Sequence, residues 1–401
     1  MSENSIKLNN PEKYLSDYEI PSGKIEFALK NALGKMESQL DRIGIKFPAN
    51  SFEAIKKYEW GENENWTCGM HTGKYLLAYE LSGNQKFLDL AKAHIPTYKQ
   101  KRIIEKKDMH CHDVGFVFVP SMVALYKLTG CEECKDYALQ AAEMFYNISY
   151  SKKGKFIIRS AHRVTEEWAC RTMVDTMLNI PLLFWAGEET GNKEYTDAAI
   201  AQADFTAANL VREDGSSYHH YQFDVETHAP LHGCTFQGNR DESTWTRGHS
   251  WCVLGFPIAY SYTGDKKYLE TMKKNTYYML NHLPEDLVPY WDYDFTTGSA
   301  EPRDASAGVI AACGMMEAMK YIDKDSEDYK VYRNASARLI EAAIDNCAVP
   351  FTPEYDLYDG LIDHNTGSKP HGSTDRCAVY GDYFYLEALL RYTNPDWKKY
   401  W

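Results

Sequence analysis

The sequence has no long hydrophobic run, no basic excess and no cysteine pattern that closes a framework. None of its apolar stretches approaches the ~20 residues that cross a bilayer, which excludes a membrane-spanning helix. The opening stretch, MSENSIKLNNPEKYL, has no basic region followed by an apolar core, so no secretory signal is read there. Lys and Arg number 44 against 57 Asp and Glu, a formal net charge of −13. That sign argues against nucleic acid or an anionic membrane as partner, and it requires any anionic ligand to meet a local positive site. Ten cysteines are scattered along the chain, and only Cys131 and Cys134 stand close together. With no second pair to complete a zinc site, they read as free thiols of a cytoplasmic protein.

Aromatic residues are abundant: 30 Tyr, 16 Phe and 9 Trp. Most belong in a core, but a surplus of Tyr and Trp also supplies flat apolar faces for sugars. A phrase recurs in which an apolar helix end meets a Thr-Gly or Ser-Gly turn and a new helix opens at once. Its glycines are Gly83, Gly130, Gly191 and Gly264, spaced by 47, 61 and 73 residues. A degenerate copy runs over 321–329. Left-handed glycine caps at such spacing fit helical hairpins rather than a strict solenoid.

Period-3.6 reading predicts two alternating sets of helices. The amphipathic set covers about 24–43, 85–102, 132–148, 192–211, 266–282 and 326–346. The other, at about 68–82, 114–129, 168–187, 247–263, 304–322 and 376–392, is apolar nearly all round and so belongs inside. Six outer and six inner helices make an all-α (α/α)6 barrel, a single domain over 1–401 with 1–23 as an N-terminal extension. The long connections then gather on one rim, where each inner helix presents the positive end of its dipole.

Several residues on that rim carry chemistry. The segment 237–251, QGNRDESTWTRGHSW, offers Gln237, Arg247 and Trp251 where a helix begins. A two-pronged guanidinium, an amide and an indole face suit an anionic sugar. Asp113 follows His110-Cys111-His112 and precedes an apolar run. It reads either as an N-cap or as a rim acid, and nothing completes a metal ligand set around the triplet. Asp175 is predicted two turns inside a buried helix, about 10 Å below the rim. Arg171 and Asn179, one turn to either side, could satisfy it; alternatively, burial tunes it for acid–base work. Asp304 and Asp375 read as caps, and Asp382 as a structural buried acid. His219, His220 and His232 form an imidazole cluster on a long loop.

Five separated stretches, HDVGFVFVPS, MVDTMLNIPLLFWA, QGNRDESTWTRGHSW, RDASAGVIAACG and YGDYFYLEALLRY, together resemble the unsaturated glucuronyl hydrolases of glycoside hydrolase family 88. The resemblance runs in order from about Trp66 to Tyr392. It implies an (α/α)6 barrel that removes a 4,5-unsaturated uronic acid from lyase-generated oligosaccharides, without metal or organic cofactor. It also implies that Asp113 and Asp175 are the two important acids. Trp66, His112, His219, Gln237, Arg247 and Trp251 match substrate-lining positions. The chain departs from the family pattern at Tyr380, His249 and Ala305, and most in the loop 364–374. Competing readings are an unsaturated rhamnogalacturonyl hydrolase, a sugar 2-epimerase working through paired histidines, and a non-catalytic carbohydrate-binding toroid.

Overall fold

The computed structural model describes residues 6–49, 57–160, 166, 169–355 and 358–401. The helices alternate between two concentric rings, an (α/α)6 barrel. Inner helices Cys68–Ser82, Thr246–Thr263, Ala305–Ala318 and Val379–Thr393 are buried almost throughout, as their all-round apolar sequences require. The inner ring is completed by residues 114–129, which form two α-helical pieces joined by a wide turn at Val119–Val123, and by Pro181–Thr190. Outer helices such as Ser22–Ile43, Glu132–Ser149 and Glu327–Asn346 bury one stripe each.

The four glycines of the recurring phrase do what their position demands. Gly83, Gly130, Gly191 and Gly264 all have φ between 68° and 71°, a left-handed conformation that a Cβ would penalise. Each donates its N–H back to the carbonyl four residues earlier, ending one helix so that the next can start. A single large core runs from Tyr14 to Trp401. The N-terminal segment is docked on it: Tyr14 is buried, and its carbonyl accepts from Asn334 Nδ2 at 2.9 Å.

The helix predicted over 168–187 does not form as one piece. Trp168 lies outside the described residues. Arg171–Met173 is a strand, Val174–Leu178 a 3-10 turn, and the helix starts only at Pro181. Proline suits a first turn, where its missing N–H costs nothing, but inside a helix it would collide with the preceding turn. The imidazole cluster is likewise drawn into a sheet, with His220 and His232 on strands and His219 in the bend just before His220. His220–Phe223 is the centre strand of a three-stranded antiparallel sheet, pairing Met173 with His220 on one side and His220 with Cys234 on the other.

Candidate active site

The sheet and the inner-helix N-termini enclose a rim cavity of about 580 Å³. Asp113 and Asp175 both line it, and their side chains retain 19% and 15% exposure. Their proximity is built into the backbone. Asp113 precedes an inner helix, and two residues on Gly115 lies against the main chain of Asn179, where a methyl group would collide with the Asn179 carbonyl and Cα. The Asn179 amide closes the junction. Its Oδ1 accepts from Phe116 N at 2.7 Å, and its Nδ2 donates to the carbonyl of Asp175 at 3.0 Å. Asn179 therefore orients the Asp175 backbone rather than satisfying its carboxyl. Arg171 lies in the strand, with Nη1 3.0 Å from His220 Nε2, not one helical turn from Asp175.

Asp113 occupies the N-cap position, yet its carboxyl makes no capping hydrogen bond. It sits 3.3 Å from His112 Nε2 and receives only a long Cys111 thiol contact at 4.0 Å. Burial pushes its pKa up to about 8; the charge of Asp108 adds to the rise and Arg159 opposes it. Burial also lifts Asp175, to about 6, with His112 and Arg247 pulling down and Asp113 pushing up. Burial depresses His112 to about 4 and His219 well below its usual range, so both imidazoles are neutral at pH 7.

The tautomer of His219 follows from its partners. Nδ1 accepts the backbone N–H groups of Phe236 at 3.1 Å and Gln237 at 3.2 Å, so the proton resides on Nε2. That N–H faces Asp175 Oδ2 at 4.0 Å. His219 stands just before the strand, its carbonyl still accepting from Val174 N at 2.9 Å, and it reaches the acid while its neighbour His220, on the strand, meets Arg171.

A raised folded-state pKa also predicts a stability effect. A carboxyl held at about 8 when folded, against about 4 when unfolded, favours folding at low pH and loses that contribution as pH rises between the two values. Asp113→Asn removes the titration. Its melting temperature, compared with the parent's, should gain about a degree or two at about pH 5 and several degrees at about pH 9, because each pH unit inside that span costs the parent about 1.4 kcal/mol. A constant difference between the two proteins would reject the shift.

The remaining sequence-predicted residues divide. Trp66 forms a wall, stacked on Tyr380 at 5.5 Å with an interplanar angle of 16°. Arg247 lines the cavity, but its guanidinium is engaged within the protein. Nη1 is 2.6 Å from the buried Asp304 carboxylate and also reaches the Thr366 carbonyl; Nη2 donates to Gly367 O at 2.7 Å. The group is sandwiched between the rings of Trp245, 4.4 Å away, and Tyr380, 4.5 Å away. Asp304 is accordingly the counter-ion of Arg247, not the cap the sequence suggested; it makes no capping bond. Gln237 Nε2 likewise donates to Gly367 O at 2.7 Å. Trp251 is not a wall. It lies 1% exposed one turn below, packed between Phe116 and Phe384, because an all-round apolar helix buries everything past its first turn. Asp382 is the structural acid expected, paired with Lys74 at 3.0 Å.

Sequence reasoning missed the indole that does line the cavity, Trp245, and the mouth residues Phe236, His371 and Arg376. Trp245 could have been found. It directly precedes the helix, where a side chain still reaches the rim, whereas Trp251 cannot. Among the described residues, no three His, Cys, Asp or Glu side chains converge in a group that could hold a metal ion.

A helical toroid whose rim cavity combines paired carboxyls with aromatic walls has the layout of a carbohydrate-active enzyme. The sequence matches the Glycosyl Hydrolase Family 88 profile over residues 41–349, and the chain belongs to that family of glycosidases. It is 35% identical over 98% of both chains to an unsaturated chondroitin disaccharide hydrolase of Streptococcus pneumoniae. Over 99% of this chain and 98% of the other, it superposes with a TM-score of 0.93 and 34% identity on the unsaturated glucuronyl hydrolase of Streptococcus agalactiae. A variant of that enzyme complexed with dGlcA-GalNAc6S superposes at a TM-score of 0.86 with 32% identity and the same coverage.

Proposed function

We propose that the chain releases 4,5-unsaturated uronic acid from lyase-generated glycosaminoglycan oligosaccharides, disaccharides above all, by hydrating the C4=C5 enol ether. The observation that carries this reading is the pair of buried carboxyls, Asp113 and Asp175, lifted to about 8 and about 6 in one cavity. Around neutral pH such a pair holds roughly one proton, as hydration of an enol ether needs. The names of the relatives, an unsaturated chondroitin disaccharide hydrolase among them, support the substrate class.

In this scheme Asp175 is the acid. A bound uronate brings another anion beside it and takes water out of the cavity, and both changes push its carboxyl further up. Asp175 then donates its proton to C4. Water adds its oxygen to C5 and returns a proton to the Asp175 carboxylate. The hemiketal opens, and the glycosidic bond breaks downstream. The Nε2–H of neutral His219 orients the Asp175 carboxyl, while Asp113 shares its proton with Asp175 and holds a ring hydroxyl. Trp66 and Trp245 supply apolar walls. No cofactor enters the scheme. The ten unpaired cysteines suit a reducing compartment, and we place the enzyme in the cytoplasm.

The direct test follows the ultraviolet absorbance of the conjugated double bond as purified protein meets unsaturated chondroitin, hyaluronan and heparin disaccharides. The expected result is loss of absorbance with at least one of them, chondroitin first. Persistent absorbance with all three, under conditions where the protein is folded, overturns the reading.

A further inference from the structure

We infer that Phe236 and His371 form an aromatic platform at the cavity mouth on which the leaving sugar stacks, so that these two rings grade substrates by what is attached to the uronic acid. The inference rests on the proposed function and adds to it a contact that the catalytic residues do not make. Exposure rises from the floor of the cavity to its mouth: Asp175 and Asp113 are largely covered, whereas Phe236 is 46% exposed and His371 is also exposed. Among the described residues, five other large apolar side chains are comparably exposed, and none of them lines this cavity. A cavity of about 580 Å³ has room for more than the one ring the acids act on.

The platform is ordered in advance. The two rings lie 4.2 Å apart, centroid to centroid, at 30°. His371 Nδ1 is held by Ser368 Oγ at 2.7 Å, and the Arg171 guanidinium carbon lies 5.9 Å from the Phe236 centroid. Phe236 is also tied to the reacting end of the site, because its own N–H is one of the two that fix the His219 tautomer. A rigid phenyl left half exposed is costly in water. A pyranose face laid on it would recover that apolar area without demanding a charge on the leaving sugar.

The experiment compares kcat/KM for an unsaturated uronyl disaccharide with that for the methyl glycoside of the same unsaturated uronic acid, which has no second ring. In Phe236→Ala and in His371→Ala, the preference for the disaccharide should fall roughly tenfold, the scale of one lost aromatic contact. Phe236→Trp should restore it, and that recovery separates stacking from damage to the fold. An equal loss on both substrates, or an unchanged ratio, overturns the platform. If the parent enzyme consumes neither compound, the functional reading itself fails, and that is visible before any variant is made.

Discussion

Asp175→Asn should lower kcat/KM for the preferred unsaturated disaccharide by roughly 10²–10⁴-fold, the range that a positioned general acid–base contributes. Asparagine keeps the size of the side chain and can still face His219. It leaves intact the backbone junction through which Asn179 holds residue 175. The variant should therefore fold, melt like the parent below about pH 4 and slightly higher at alkaline pH, since a carboxyl lifted to about 6 no longer has to ionise. The pH profile supplies the second readout. The parent's kcat/KM should fall as pH rises past the point where the Asp113–Asp175 pair loses its shared proton. The residual rate of the variant should not follow that limb. A variant that retains turnover within about tenfold of the parent would remove Asp175 from the proton transfer.

The second large effect concerns Arg247. Arg247 and Asp304 have side chains 2% and 0% exposed, so Arg247→Met strips a buried carboxylate, to which Ser306 Oγ donates at 2.5 Å, of its counter-ion. Breaking one half of such a pair costs about 3–5 kcal/mol. From the average unfolding entropy per residue, that corresponds to a melting temperature lower by about 4–6 °C for a chain of this size. The double variant Arg247→Met with Asp304→Asn removes the stranded charge and should recover most of the loss. Activity should not recover with it. The carbonyls of Thr366 and Gly367 lose the guanidinium that holds them, leaving Gln237 on Gly367 O, and the loop that carries Ser368 and His371 loosens at the mouth. Thermal unfolding and kcat/KM measured on both variants check this. A single variant that melts with the parent would show that the pair contributes little, and a double variant restored in activity would show that the loop is placed by other contacts.

The architecture was legible in the sequence because its signals are local. Glycine caps and all-round apolar helices need no knowledge of what lies across the barrel. The positions of Asp113 and Asp175 were legible for the same reason, as acids next to or within apolar runs. At 168–187 apolar periodicity runs straight through Pro181 and hides the helix start that this proline marks. Trp251 and Arg247 are a different case. Both side chains suit a sugar, but whether such a group meets ligand or protein depends on partners more than 50 residues away: Asp304 and the 366–367 carbonyls for Arg247, and Phe384 for Trp251. The mouth itself was illegible, because Phe236 and His371 are distant in sequence and meet only when two rim connections fold over the same opening.

The contact of Gly115 with the main chain of Asn179 separates two kinds of change open to this enzyme. The acids are registered by main chain pressed on main chain at the root of two inner helices, whereas the mouth is assembled from connections pinned by Gln237 and Arg247. Replacing the rim segments alters what is admitted without disturbing how the double bond is attacked. A lineage built this way can drift in diet while its reaction stays put, and laboratory evolution aimed at new leaving sugars has its natural library at 235–241 and 364–376, with 113–116 and 175–179 left untouched.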